Sequence, residues 1–337
     1  MKVLLIYSLY YENNKQVIDH KDKLRTSFEA AFENDESHTY EVLHLGNGPG
    51  NLKNADELNH ALLTKDFDLV VVSEESQYIV YLETAKKLGK KLFLLHWDTW
   101  IAMSPDIHVN FKIAMKASRN WGGVSQPHSL VEFSQYCNIL VIDYGFGEMF
   151  PNMYSIPSFI DTRDFYPDSS VSRDIDVSHN GMMYIPERAR YAEIFHKAKV
   201  NITYTGSINK NIFPAQLLSV KDFADIFRKS KISLCFTESL FGPQNRQRKT
   251  RIYEIAASGC FMLMSHGEVL DNSKYTWFKK GVHFDAINES DCVDKIEYYL
   301  NNSEKRNEMA NAFYEHYINN YSPKLLWNNI FSYVNDK

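Results

Sequence analysis

Paired cysteines, long apolar stretches and a surplus of basic charge are all missing from this sequence, and each absence narrows what it can be. The 337 residues contain four cysteines, Cys137, Cys235, Cys260 and Cys292, none of them in a Cys-x-x-Cys pair. Cys235 and Cys260 lie inside apolar runs, so buried reduced thiols are expected rather than disulfides or zinc ligands. No segment approaches the ~18 consecutive apolar residues that a bilayer-spanning helix needs. The first eleven residues carry one lysine, Lys2, and no small-residue cleavage site, which reads as a first strand rather than a signal peptide. A cytoplasmic address is expected. A net charge of −5 argues against a general nucleic-acid coat and gives no sign of attraction to a membrane, while leaving room for one local basic patch.

What is present is an ordinary globular composition, 44% hydrophobic and 23% charged, in a chain long enough for two cores. A continuous apolar run at residues 3–7 and further strand patterns at 41–45, 68–73, 91–96 and 139–143 alternate with helical stretches near 20–32, 56–64, 79–88, 105–117 and 129–136, with a further extended run at 121–125. Runs that are apolar throughout suit parallel strands covered on both faces, and the alternation implies right-handed crossovers. No Gly-x-Gly-x-x-Gly follows the first run, so the dinucleotide-binding fingerprint is absent. The pattern stops between Gly145 and Pro167, a stretch with prolines, glycines and large apolar residues that reads as an ordered connection. A second alternating unit follows, with strands near 176–181, 200–205, 232–236 and 260–264 and helices near 187–198, 220–230, 250–258, 293–300, 305–321 and 325–334. The fold class expected is α/β, two Rossmann-like domains facing a central cleft. The expected divisions are an amino-terminal domain over 1–150, a connection over 151–170, a carboxy-terminal domain over 171–320, and a last helix over 321–337 packing across the junction.

In such sheets ligands bind beyond the carboxyl ends of the strands. Ser8, Glu74, Glu75, His96 and Asp98 all follow apolar strands. Asp98 or His96 could take a proton from an acceptor hydroxyl. Equally, Asp98 could cap its turn and His96 could be a satisfied, half-buried histidine. The most informative stretch is 244–264. Arg246, Arg248, Lys249 and Arg251 crowd the start of a short helix, whose macrodipole is already positive there. An anion such as a diphosphate would turn both the dipole and the cations into attractions; the plainer reading is a solvated basic loop.

The run Arg251-Ile252-Tyr253-Glu254-Ile255-Ala256-Ala257-Ser258-Gly259, together with residues 224–234, resembles the carboxy-terminal half of GT-B glycosyltransferases. The nearest branch is the CgeB-like, spore-maturation-type group. Residues 155–161 and 165–167 are similar to that family's interdomain segment, and Trp97-Asp98 to its aromatic–Asp element. The resemblance implies a glycosyltransferase using a nucleotide-diphosphate sugar as co-substrate, with no other cofactor. It implies that Glu254 accepts hydrogen bonds from the donor ribose and that Arg251 and Lys249 meet the diphosphate; Arg246, in the same basic loop, is a further candidate cation. It also implies that Gly181 and Gly206 let backbone amides approach the donor. Retaining relatives often carry a second glutamate eight positions before the ribose-binding one, where this chain has Arg246, so inversion by a base of the amino-terminal domain stays open. No Asp-x-Asp ends a strand, so no metal is expected. The acceptor is open among glycan, protein, small molecule and modified DNA. Two other readings stand beside this one: a phage-type DNA glycosyltransferase acting on hydroxymethylated bases, which the −5 charge weighs against, and a non-catalytic nucleotide-sugar binding module.

Overall fold

The computed structural model describes residues 1–8, 11–12, 15–16, 23–45, 55–73, 84–96, 134–142, 151–181, 183, 185–205, 218–238, 249–267 and 278–335. The chain divides into two compact units. The first comprises Met1–Phe159 together with Pro323–Lys337, and the second Ile160–Ser322.

The first unit is built on a parallel sheet of β1 (Lys2–Ser8), β2 (Thr39–Leu45), β3 (Leu69–Ser73), β4 (Leu92–His96), β5 (Asn138–Val141) and β6 (Met153–Ser155), in the order β2-β1-β3-β4-β5-β6. Because side chains alternate along a strand, β1 feeds two cores at once. Val3, Leu5 and Tyr7 join one cluster with Phe28 and Trp327, while Leu4 and Ile6 join another with Leu58, Val72 and Leu94. A strand covered on both faces has no polar side, which is why residues 3–7 read as a continuous apolar run. Helices α1 (Lys23–Phe32) and α2 (Ala55–Thr64) cover opposite faces. The expected helices at 105–117 and 129–136 and the run at 121–125 fall mostly or wholly outside the described residues.

Strand β6 lies inside the segment that reads as a connection. Its three residues are too few to show a period. Asn152 holds it in place by donating from Nδ2 to the carbonyls of Ser134, at 2.7 Å, and Cys137.

The second unit carries β7 (Ile175–Asn180), β8 (Ile202–Thr205), β9 (Ser230–Cys235), β10 (Phe261–Ser265) and β11 (Asp285–Ile287), all parallel, in the order β8-β7-β9-β10-β11. Its helices are α3 (Pro186–Lys197), α4 (Val220–Lys229), α5 (Thr250–Ala257), α6 (Cys292–Asn301) and α7 (Ser303–Tyr321). Val177, Ile232, Leu234 and Leu263 pack with Tyr191 and Phe195 of α3 and Ile296 of α6. On α4, Ser219 caps the first turn, its hydroxyl accepting from the Asp222 amide at 3.1 Å. The later part of the expected ordered connection is bound into this unit: Phe165 packs on Phe223 and Phe227, and Arg228 donates to the Asp164 carbonyl and lies 4.6 Å over the Tyr166 ring.

Helix α8 (Pro323–Asn335) returns the chain to the first unit. Trp327 is fully buried there, edge-on to Phe28 at 5.0 Å, with its indole N–H donating to Ser27 at 3.2 Å.

Candidate donor site in the second unit

The chain order in the second sheet reverses between β7 and β9, since β8 lies beyond β7 while β10 and β11 lie beyond β9. Loops leaving adjacent strands on opposite sides open a crevice at such a point, beyond the carboxyl ends. Gly181 follows β7 there, its N–H donating to the Thr205 carbonyl at 2.7 Å with φ at +147°. Only glycine holds that conformation without strain.

Helix α5 brings the signature residues to the same place. Lys249 is its N-cap residue, without a side-chain cap, and the first turn contains no acid, so its amide ends face no compensating charge from the helix itself. Gly259 ends the helix at φ +62°, its amide donating to Ala256 at 3.1 Å and that of Cys260 to Ile255 at 3.2 Å. Arg251 and Glu254 stand one turn apart, with Arg251 Nε 3.8 Å from Glu254 Oε2. The Glu254 side chain is 3% exposed and that of Arg251 19%. Burial lowers the Arg251 pKa, and the Glu254 carboxylate acts against that shift. Arg251 also lies 5.3 Å over the Phe223 ring of α4, and its Nη1 comes within 2.6 Å of the point that a Cβ on Gly181 would occupy. A guanidinium held by a carboxylate and a ring face keeps its charge in a nearly dry place, which is what strong anion binding needs. The charges of Arg251, Arg188 and Lys249 all favour the Cys235 thiolate, yet burial pushes this thiol up to about 12, so it is no nucleophile.

Three of the residues singled out in the sequence, Gly181, Arg251 and Glu254, thus meet in one spot, with Lys249 at the helix start. Arg246, Gly206 and Asp98 lie outside the described residues. His96 is the last residue of β4, and only its backbone is described. Among the described residues no group of three or more His, Cys, Asp or Glu side chains could hold a metal ion.

Two residues escaped the sequence reading. His179 is the next-to-last residue of β7, followed by Asn180 and Gly181, and is fully buried, with Nδ1 3.0 Å from the Leu234 carbonyl oxygen. Burial, followed by the charge of Arg251, holds its pKa well below the ordinary imidazole value. Glu238 lies beyond β9, also fully buried, accepting from Ser265 Oγ at 3.0 Å and 3.2 Å from His266 Nε2. It lines a cavity of about 440 Å³ with Glu187, Arg190 and Asn288. His179 is the next-to-last residue of its strand and Glu238 lies three residues past the end of its own, the one positional signal the sequence offers for them.

Residues 188–331 match a family described as glycosyl transferase-like. That is the enzyme class the signature around Glu254 implies. A glycosyltransferase from Rickettsia africae is similar in structure over 100% of this chain and 99% of its own, at 10% identity and a TM-score of 0.60. The chain has the GT-B glycosyltransferase fold. Sucrose-phosphate synthase from Thermosynechococcus elongatus is similar over 98% of both chains, at 9% identity and a TM-score of 0.60. Anabaena HepE, in a complex with UDP and glucose, is similar over 100% of both chains at 11% identity and a TM-score of 0.57. No curated protein matches by sequence. Among the described residues no helix of this GT-B chain is long and apolar enough to cross a membrane.

Proposed function

We propose that this chain transfers a sugar from a nucleotide-diphosphate donor to an acceptor hydroxyl without the help of a metal ion. The observation that carries this reading is the placement of Arg251, paired with buried Glu254 and pressed against Gly181, at the switch point of the second sheet. In the transfer, the acceptor oxygen bonds to the anomeric carbon as the bond from that carbon to the diphosphate oxygen breaks, and the diphosphate departs with the electron pair. Its negative charge grows along the way. Fixed cations aimed at it therefore stabilise the transition state more than the bound substrate. Arg251 and Lys249 supply that charge, with Arg246 as a third cation of the same sequence stretch, and this takes the neutralising role that a metal has elsewhere. Glu254 accepts from the ribose hydroxyls. The proton leaving the acceptor goes to a base, for which Asp98 and His96 are the candidates.

Supporting the donor class, HepE is structurally similar to this chain and was solved with UDP and glucose bound. The run from Arg251 to Gly259 supports the CgeB-like branch. Calorimetry with UDP, ADP and GDP tests the donor site. One of them is expected to bind the wild type and to lose at least tenfold in affinity in Glu254→Ala. If none binds, or the substitution changes nothing, the assignment fails. Donor turnover that continues in excess EDTA checks the metal-free route.

A further inference from the structure

His179 is a buried titratable group next to the donor site for which the proposed transfer has no use so far. Its Nδ1 lies 3.0 Å from the Leu234 carbonyl oxygen, which can only accept, so Nδ1 carries the ring proton. The ring is neutral, and Nε2 is left as an acceptor with a bare lone pair. That atom is buried and has no hydrogen-bond partner among the described residues. Arg251 Nε, a donor, makes no hydrogen bond either, although it is ion-paired with Glu254 Oε2 at 3.8 Å. The Arg251 guanidinium and His179 Nε2 adjoin one point: a Cβ built on Gly181 would lie 2.6 Å from Arg251 Nη1 and 3.5 Å from His179 Nε2. A buried acceptor without a donor costs about 1–3 kcal/mol, so such an atom calls for a reason. The ring is held rigidly: it packs edge-on to Phe236 at 4.9 Å and Tyr204 at 6.4 Å.

A simple anion would satisfy only Arg251, because its oxygens, like Nε2, are acceptors. A ligand that brings an anionic group and a hydroxyl side by side would suit both side chains. We propose that His179 is a specificity-determining residue of the donor site: when Arg251 turns from Gly181 onto the ligand's phosphate, Nε2 accepts a hydrogen bond from a neighbouring ligand hydroxyl. This rests on the nucleotide-diphosphate reading, and it adds a preference for hydroxyl-bearing ligands that Glu254 and the cations do not supply by themselves. The hydroxyl belongs either to the ribose or to the transferred sugar. The ring does not take up the acceptor's proton, because the group it serves is on the donor.

The test uses UDP, its 2′-deoxy and 3′-deoxy analogues, and UDP-glucose, on the wild type, His179→Phe and His179→Gln. Phenylalanine keeps the ring among Phe236 and Tyr204 but removes the acceptor; glutamine can return one near Nε2. With a ribose hydroxyl at Nε2, the wild type favours UDP over one deoxy analogue by about tenfold, the worth of one hydrogen bond. The Phe variant brings that ratio within about twofold, and the Gln variant restores part of it. With a sugar hydroxyl, the same pattern appears instead in the ratio of UDP-glucose to UDP. Nitrogen NMR of the wild type gives a second reading that needs no variant to fold. The Nε2 resonance of His179 starts at the value of an unprotonated ring nitrogen and moves upfield on binding of the preferred ligand. UDP binding that leaves both the ratios and the Nε2 resonance unmoved would overturn the role of His179 and leave the donor site standing. Failure of UDP, ADP and GDP alike to bind would remove both.

Discussion

Nη1 of Arg251 rests 2.6 Å from where a Cβ on Gly181 would stand, so the bare backbone after β7 is a seat for the guanidinium. An alanine there meets the far end of a flexible side chain, which can move, and a backbone at φ +147°, which cannot be held without strain. Gly181→Ala is therefore expected to cost about 1–2 kcal/mol of stability. It should cost more in binding, because the displaced cation is the one proposed for the diphosphate. The check is a nucleotide titration beside a urea melt, with an affinity loss of tenfold or more expected.

Gly259 makes the opposite prediction. A Cβ there would come 2.9 Å from Pro167 Cβ, in a backbone at φ +62°. The neighbour is a ring on an ordered segment and yields little. Gly259→Ala should lower stability by about 2 kcal/mol. Nucleotide affinity, measured well below the melting temperature, should stay within twofold of the wild type, because Pro167 and the end of α5 lie away from Gly181.

Acid should weaken the second unit through His283. Burial lowers this imidazole to about 4, with His316, stacked at 4.5 Å, and Lys279 adding to the effect. Its Nδ1 accepts from the Lys279 amide at 2.8 Å, a bond that protonation of that nitrogen would forfeit. The unfolded chain binds this proton near pH 6.5 and the folded one only near 4, so stability falls as pH drops through that window. The loss should be on the order of 2 kcal/mol between pH 6.5 and 4, measured by urea unfolding. The His283→Gln variant should flatten that slope; an unchanged slope would place the acid sensitivity elsewhere.

Trp327 joins the last helix to the first core, against Phe28 and Phe159. Truncating it to alanine should cost about 3–5 kcal/mol. Removing its N–H partner by Ser27→Ala should cost about 1 kcal/mol. Thermal melts of the two variants check the order.

The sequence was most legible where one physical cause acted alone. Continuous apolar runs announced β1, β3 and β4 because both their faces are covered, and Gly259 announced the end of α5 because its conformation excludes side chains. Strands β6 and β11, three residues each, were missed because so short a span shows no period and owes its place to neighbours already paired. The site divides in the same way. Arg251 and Glu254 were readable from a local motif, and Gly181 from its position at a strand end. His179 was not, since a histidine inside Asp176–Gly181 reads the same whether its ring faces solvent, core or ligand. Only the carbonyl of Leu234, 55 residues further on, fixes its tautomer.

Helix α8 has a consequence for how the molecule is made. The first unit is assembled from both ends of the sequence, residues 1–159 and 323 onward, with the whole second unit inserted between them. During synthesis the second unit is complete and free to fold while the first still lacks Trp327. Until residues 323–335 leave the ribosome, the core around Phe28 lacks Leu326, Trp327, Ile330 and Phe331, which is when an unfinished chain is most prone to aggregate. A fragment stopping at residue 159 would lack those four side chains permanently, whereas one spanning residues 160–322 contains its own core.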